Sequence, residues 1–199
     1  MNKIYNLYKF HEDDDIEDDA PFFTGDVYTK LAMHRSLFIN EAITEKLLNE
    51  LITMLLYLDN ISNDMITLYI NSPGGIVSGF LGIYDVINFI KSPIRTVCTS
   101  ECSSAAALLL ACGKKGYRYA TKSSRVMIHG MSFGFPDVNS TLLESKEILT
   151  FAKNHEDDLF KILSKHTGQK LDKIKSDCKF DYYMNPKEAK EYGIIDHIA

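Results

Sequence analysis

Between residues 65 and 128, three short strand-like runs alternate with apolar helical segments, and this alternation constrains the fold more than any other feature of the chain. The runs span residues 65–70, 94–99 and 125–128. Each is rich in β-branched or aliphatic side chains and is bounded by turn residues. A helix over 78–90 follows the turn Asn71-Ser72-Pro73-Gly74-Gly75 and closes at Lys91-Ser92-Pro93. A second helix, of small residues over 103–112, stops at Gly113. Upstream, Ile43, Leu47, Leu48, Leu51, Ile52, Leu55 and Leu56 recur at steps of three and four. They predict an amphipathic helix with Asn40 as its cap, Glu41 and Glu45 near its positive end and a break at 60–63. Strands separated by helices pair in parallel, so the fold class is α/β with a mostly parallel sheet whose turns gather at one edge.

After a loop over 130–136, residues 138–166 carry one long polar-apolar helical pattern. Such a helix is about 40 Å long at 1.5 Å per residue, more than a chain of 199 residues needs for its own core. Projection towards a partner subunit is the sharper expectation; two helices broken near Asn154 is the plainer one. No internal repeat or low-complexity linker divides the chain, which predicts one domain over residues 21–199.

Charge is spread unevenly. Seven of the 27 acids stand in residues 12–19, preceded only by Lys3 and Lys9. Removing these from the 27 acids and 22 bases leaves 20 of each for residues 20–199. A neutral body argues against a nucleic-acid-binding face, and the mutually repelling run over 1–20 predicts a mobile segment. Cys98, Cys102, Cys112 and Cys178 lack C-x-x-C spacing and flanking histidines, so no zinc site is expected. Free thiols in a reducing compartment, the first three packed as small hydrophobes, fit better. No signal pattern opens the sequence and no apolar run is long enough to span a bilayer, so a soluble cytoplasmic protein without a membrane partner is expected.

Three strand ends bring chemistry to the shared edge. Ser104 opens the small-residue helix, where orphan N–H groups and the positive helix end favour a developing oxyanion. Gly74-Gly75 ends the neighbouring strand and can present backbone N–H groups at close range. His129 ends the third strand and can act as a base. A hydroxyl, a donor turn and a base at one edge suit nucleophilic acyl transfer. Taken singly, the serine reads as a helix cap and the glycines as a turn. His11, His34, His155, His166 and His197 show that histidine is not scarce in this chain.

Tyr69-Ile70-Asn71-Ser72-Pro73-Gly74-Gly75 resembles the strand and glycine turn of the ClpP family, the proteolytic subunits of ATP-dependent Clp proteases. Ser103-Ser104-Ala105-Ala106-Ala107 with Leu109-Leu110-Ala111-Cys112-Gly113 is similar to its nucleophile helix, and Arg125-Val126-Met127-Ile128-His129 to the strand that delivers its histidine. His166-Thr167-Gly168-Gln169 and Glu188-Ala189-Lys190-Glu191-Tyr192-Gly193-Ile194-Ile195-Asp196 resemble its C-terminal signatures, so the likeness runs from about residue 28 to the end. The resemblance implies a ClpP/crotonase-like superhelix of β-β-α units with a protruding handle helix, here 138–166. It also implies a Ser104, His129, Asp181 triad and an oxyanion hole from the N–H groups of Gly75 and Ala105. Asp177 is the other available acid; Asp181 is preferred because it stands seven residues before Glu188, as the family's aspartate does before its matching glutamate.

The chain departs from the family around the serine, where Gly-x-Ala-x-Ser-x-Gly is Ser100-Glu101-Cys102-Ser103-Ser104-Ala105-Ala106. Ala106 brings a methyl to the turn and Glu101 a carboxylate near the nucleophile. The Gln-Pro usual after the histidine is Gly130-Met131.

The resemblance further implies heptameric rings stacked as a tetradecamer, polypeptide substrates and a AAA+ Clp ATPase partner that uses ATP. It implies no cofactor in this chain, which itself has no phosphate loop. It also sets the acidic 12–19 run at the axial entry. Two other readings are an inactive or regulatory subunit of a mixed ring, and a crotonase-type acyl-CoA enzyme.

Overall fold

The computed structural model describes residues 27–76, 79–132 and 141–199. The acidic segment expected to be mobile, the start of the 78–90 helix, most of the 130–136 loop and the first residues of the 138–166 helix lie outside the described residues.

A parallel sheet forms the centre of the molecule, with strand order β1-β2-β3-β4-β7 (Ser36–Ile39, Ile66–Ser72, Ile94–Ser103, Arg118–Ala120, His197–Ile198). β2 is mostly buried and reads as a nearly continuous apolar run, whereas β3 alternates buried and partly exposed residues over Ile94 to Cys98 and is exposed at Thr99, Ser100 and Glu101. The ten-residue β3 forks the sheet. Its first half, at Thr96 to Cys98, pairs with β4, and its second half, at Glu101 to Ser103, pairs with β5 (Arg125–Ile128). The strand expected over 94–99 therefore runs on to Ser103, held by this second partner. β5 in turn pairs antiparallel with β6 (Tyr182–Met184), with Ile128 opposite Tyr182.

α2 (Glu45–Ile61) buries Leu47, Leu48, Leu51, Met54, Leu55 and Leu58 against the sheet. Its cap is Thr44, not Asn40. The Thr44 hydroxyl accepts the Leu47 N–H at 3.2 Å. The helix cannot start earlier, because Ile43 is held extended in a parallel bridge to Gly75. α1 (Val27–Met33) packs on β1, α3 (Phe80–Phe89) packs on α2, and α4 (Ala105–Ala111) lies against β3, with all but Leu108 of its residues buried.

α5 (Leu142–Thr167) is one unbroken helix of 26 residues, about 39 Å long, so the break near Asn154 does not occur. Thr141 and Glu144 form a reciprocal capping box at its start, and Gly168 ends it in the left-handed conformation. Its inner half buries Leu159, Phe160, Ile162 and Leu163, whereas Leu142, Leu143, Ile148, Leu149 and Phe151 of the outer half are exposed. α6 (Leu171–Asp177) folds back on α5, and α7 (Pro186–Tyr192) precedes β7. All four cysteines are buried and unpaired, Cys178 as well as the three expected. No helix among the described residues is long and apolar enough to cross a membrane.

Candidate active site

Ser104 sits at the joint between β3 and α4 with φ 57° and ψ −124°, a conformation L residues seldom adopt and which costs about 1–3 kcal/mol. Its N–H donates to the Met127 carbonyl at 2.8 Å, tying the joint to β5. A serine acting as an N-cap would lend its oxygen to the helix N–H groups, but the Ser104 side chain makes no capping bond. The strained turn holds the hydroxyl out of the helix and leaves it free for chemistry.

Gly74 packs against this turn. It has φ +91°, and a Cβ there would lie 2.5 Å from the Ser103 oxygen and 2.7 Å from Ser104 Cβ. Gly75 is clamped from the other side, where a Cβ would overlap the Ile43 backbone at 2.1 Å. The bridge that clamps it uses the Gly74 carbonyl, which accepts the Ile43 N–H at 2.8 Å, and the Ile76 N–H, which donates to Ile43 at 2.9 Å. The Gly75 N–H takes no part in that ladder. Ala105 opens α4, so its N–H is one of the helix's orphan donors.

His129 follows β5 and Asp181 precedes β6. The antiparallel pairing of Ile128 with Tyr182 therefore sets these two residues opposite each other across the strands. Nδ1 of His129 lies 3.4 Å from Oδ1 of Asp181. The Tyr183 hydroxyl donates to Asp181 Oδ2 at 3.3 Å, and the carboxylate beside it pushes the Tyr183 phenol above its ordinary range. Asp177 is turned elsewhere, accepting from Lys173 at 2.6 Å and from the Tyr192 hydroxyl at 2.9 Å.

Ser104, Ala105 and His129 line one narrow cleft, walled by Leu108, Ile128 and the inner residues of α5. Gly74 abuts the serine turn and Gly75 abuts Ile43, and neither lines the cleft itself. Cys102 and Cys178, the thiols closest in the chain to Ser104 and Asp181, are poor nucleophiles. Burial pushes Cys102 well above its ordinary value and Cys178 up to about 12. Among the described residues no cluster of His, Cys, Asp and Glu could hold a metal ion.

A family model described as Clp protease matches residues 21–199. The chain belongs to the Clp protease family. At that level it is a peptidase of the Clp type, and its mixed α/β architecture is the one the family has.

The two departures around the serine are accommodated. Ala106 is fully buried inside α4, and Glu101 accepts a hydrogen bond from its strand neighbour Ser103 at 2.6 Å. The C-terminal Clp signatures serve as scaffold. The fully buried Arg118 donates to the His166 carbonyl at 3.0 Å and grips Asp196 through Nε and NH2 at 2.9 and 2.7 Å. Burial pushes the Asp196 carboxyl up, but Arg118 and the Gly116 and Arg118 N–H groups more than reverse this and hold it far below the usual carboxylate range. Glu188, the landmark used to choose Asp181, closes a capping box with Asn185 at the start of α7.

One side chain of the cleft escaped the sequence reading. Glu156 on α5 reaches the cleft and accepts the Met131 N–H through Oε1 at 2.7 Å. Its signal was present: it stands four residues after Ala152 and three and four before Leu159 and Phe160, on the helix's apolar stripe.

Proposed function

We propose that this chain is the serine endopeptidase subunit of a self-compartmentalising protease that hydrolyses unfolded polypeptides. In this mechanism Ser104 Oγ attacks the scissile carbonyl while His129 takes its proton. The proton then passes to the leaving amine as the C–N bond breaks, leaving an acyl group on Ser104. A water, deprotonated by His129, displaces that acyl group and restores the serine. Asp181 holds Nδ1–H of His129 in the required tautomer and offsets the positive charge the ring gains. The N–H groups of Gly75 and Ala105 receive the oxyanion.

The observation that carries this reading is the cross-strand His129–Asp181 pair, 3.4 Å apart, with its histidine on the same cleft as an uncapped serine in a strained turn. A hydratase acting through backbone donors alone has no use for such a pair. The exposed apolar residues on the outer half of α5 support assembly into stacked rings, with a AAA+ ATPase feeding the chamber.

A fluorophosphonate probe on the assembled protein tests the chemistry. We expect labelling of the native protein that vanishes in Ser104→Ala, with peptide cleavage reduced about 10⁴-fold and assembly mass unchanged. A correctly assembled protein that takes no label would refute it.

A further inference from the structure

Glu156 stands in an unusual setting. The cleft it shares with Ser104 and His129 is walled mainly by Leu108, Ile128, Leu159, Phe160 and Leu163. Glu156 is half-buried where these walls open into a wider cavity that it also lines, and a carboxylate set against apolar walls gains from a cationic partner. Oε1 accepts the Met131 N–H, and no hydrogen-bond donor engages Oε2 among the described residues. No cation among those residues lies within ion-pair distance of Glu156. Lys175 and Lys179 line the wider cavity that Glu156 shares with the cleft; Lys175 is bonded to Asp157, and Lys179 makes no ion pair with Glu156. The carboxylate reaches this position because residue 130 has no side chain: a Cβ on Gly130 would lie 2.9 Å from Glu156 Oε1.

An apolar cleft with one carboxylate at its edge, unpaired by any cation among the described residues, matches a side chain with a long aliphatic stem and a cationic tip. The geometry points to Glu156 as a specificity-determining residue that receives a substrate lysine or arginine in the cleft beside Ser104. The inference rests on the peptidase reading. If the sole task were to fix the Met131 N–H, a neutral amide oxygen would serve equally well.

Peptidyl phosphonates that differ only in the side chain next to phosphorus (Lys, Arg, Leu or Met) report the preference without turnover, as rates of Ser104 labelling on the assembled protein. The generic fluorophosphonate controls for an intact serine. Wild type should take the Lys and Arg probes at least as fast as the Leu probe. Glu156→Gln keeps an acceptor for Met131 and should lower the Lys/Leu and Arg/Leu ratios roughly 10- to 100-fold, with Leu and Met rates within about 2-fold. Gly130→Ala, which crowds the carboxylate, should shift the ratios the same way.

An unchanged ratio in Glu156→Gln, or equal slowing of all four probes, would overturn the assignment. So would a wild-type protein that takes the Leu probe but neither basic one, a result that needs no variant. If the generic probe also fails, the peptidase reading falls and this inference falls with it.

Discussion

Replacing Asp181 by Asn, with Asp177→Asn as the control, separates two acids that stand four residues apart in the chain. A full charge pair at the observed 3.4 Å is worth about 1 kcal/mol in water and about 5 kcal/mol at an effective dielectric near 20. The Asp181 side chain is 52% exposed and that of His129 23%, so solvent screening brings the value down to about 2–3 kcal/mol. Since the ring is charged in the transition state and not before it, this loss falls on kcat, as a drop of about 30- to 150-fold. That figure is a floor, because an amide offering NH₂ to Nδ1 selects the wrong tautomer as well. Asp177→Asn breaks bonds to Lys173 and Tyr192 but touches no reacting group, and its kcat should stay within about 3-fold of wild type. Steady-state cleavage of a fluorogenic peptide, with fluorophosphonate labelling rates alongside, measures both. Equal losses in the two variants, or a larger loss in Asp177→Asn, would refute the argument.

Gly74→Ala should abolish labelling of Ser104 while the protein still assembles. The added methyl meets the Ser103 oxygen and Ser104 Cβ at 2.5 and 2.7 Å, and the left-handed φ adds about 1–2 kcal/mol; near-native labelling would show that the turn gives way freely. Asp196→Ala strands the buried Arg118 guanidinium and should cost about 3–5 kcal/mol, lowering the melting temperature by roughly 6–20 °C at pH 7. Because the folded carboxyl is held below its unfolded value of about 3.9, its contribution is complete above that pH and is lost as pH falls through the folded value. The gap in melting temperature between wild type and variant should hold from pH 7 to 5 and narrow only below about pH 4. A gap that closes between pH 7 and 5 would contradict it.

The part of the fold legible in the sequence was the part whose pattern is repeated often enough to be read. β2, β3 and β5 with the helices between them stood out, because each strand carries a short cluster of β-branched or aliphatic residues bounded by turn residues. β4, β6 and β7 have three residues or fewer and show no period, so only their partners define them. Asn40 and Thr44 are both acceptable caps by type. What decides for Thr44 is the Ile43–Gly75 bridge, a contact between residues 32 positions apart. Similarly, no local pattern chooses between Asp177 and Asp181; the register of β5 on β6 sets Asp181 against His129. At the candidate site, Ser104 and His129 were visible as strand ends. Glu156 was passed over because an acid on a helix is ordinarily solvated, and only the buried residues around it reveal its setting.

The antiparallel pairing of β5 with β6 has a consequence for how such a chain can diverge. Everything between Met131 and Asp181 leaves His129 and comes back to it, so that long stretch is an excursion whose start and finish are pinned side by side. Whole turns could be inserted into or deleted from the outer half of α5 without altering the distance from Asp181 to His129. The inner half has no such freedom, because Glu156, Leu159 and Phe160 wall the cleft. Lineages of this fold can therefore vary the reach of the helix while the cleft beside it stays the same size.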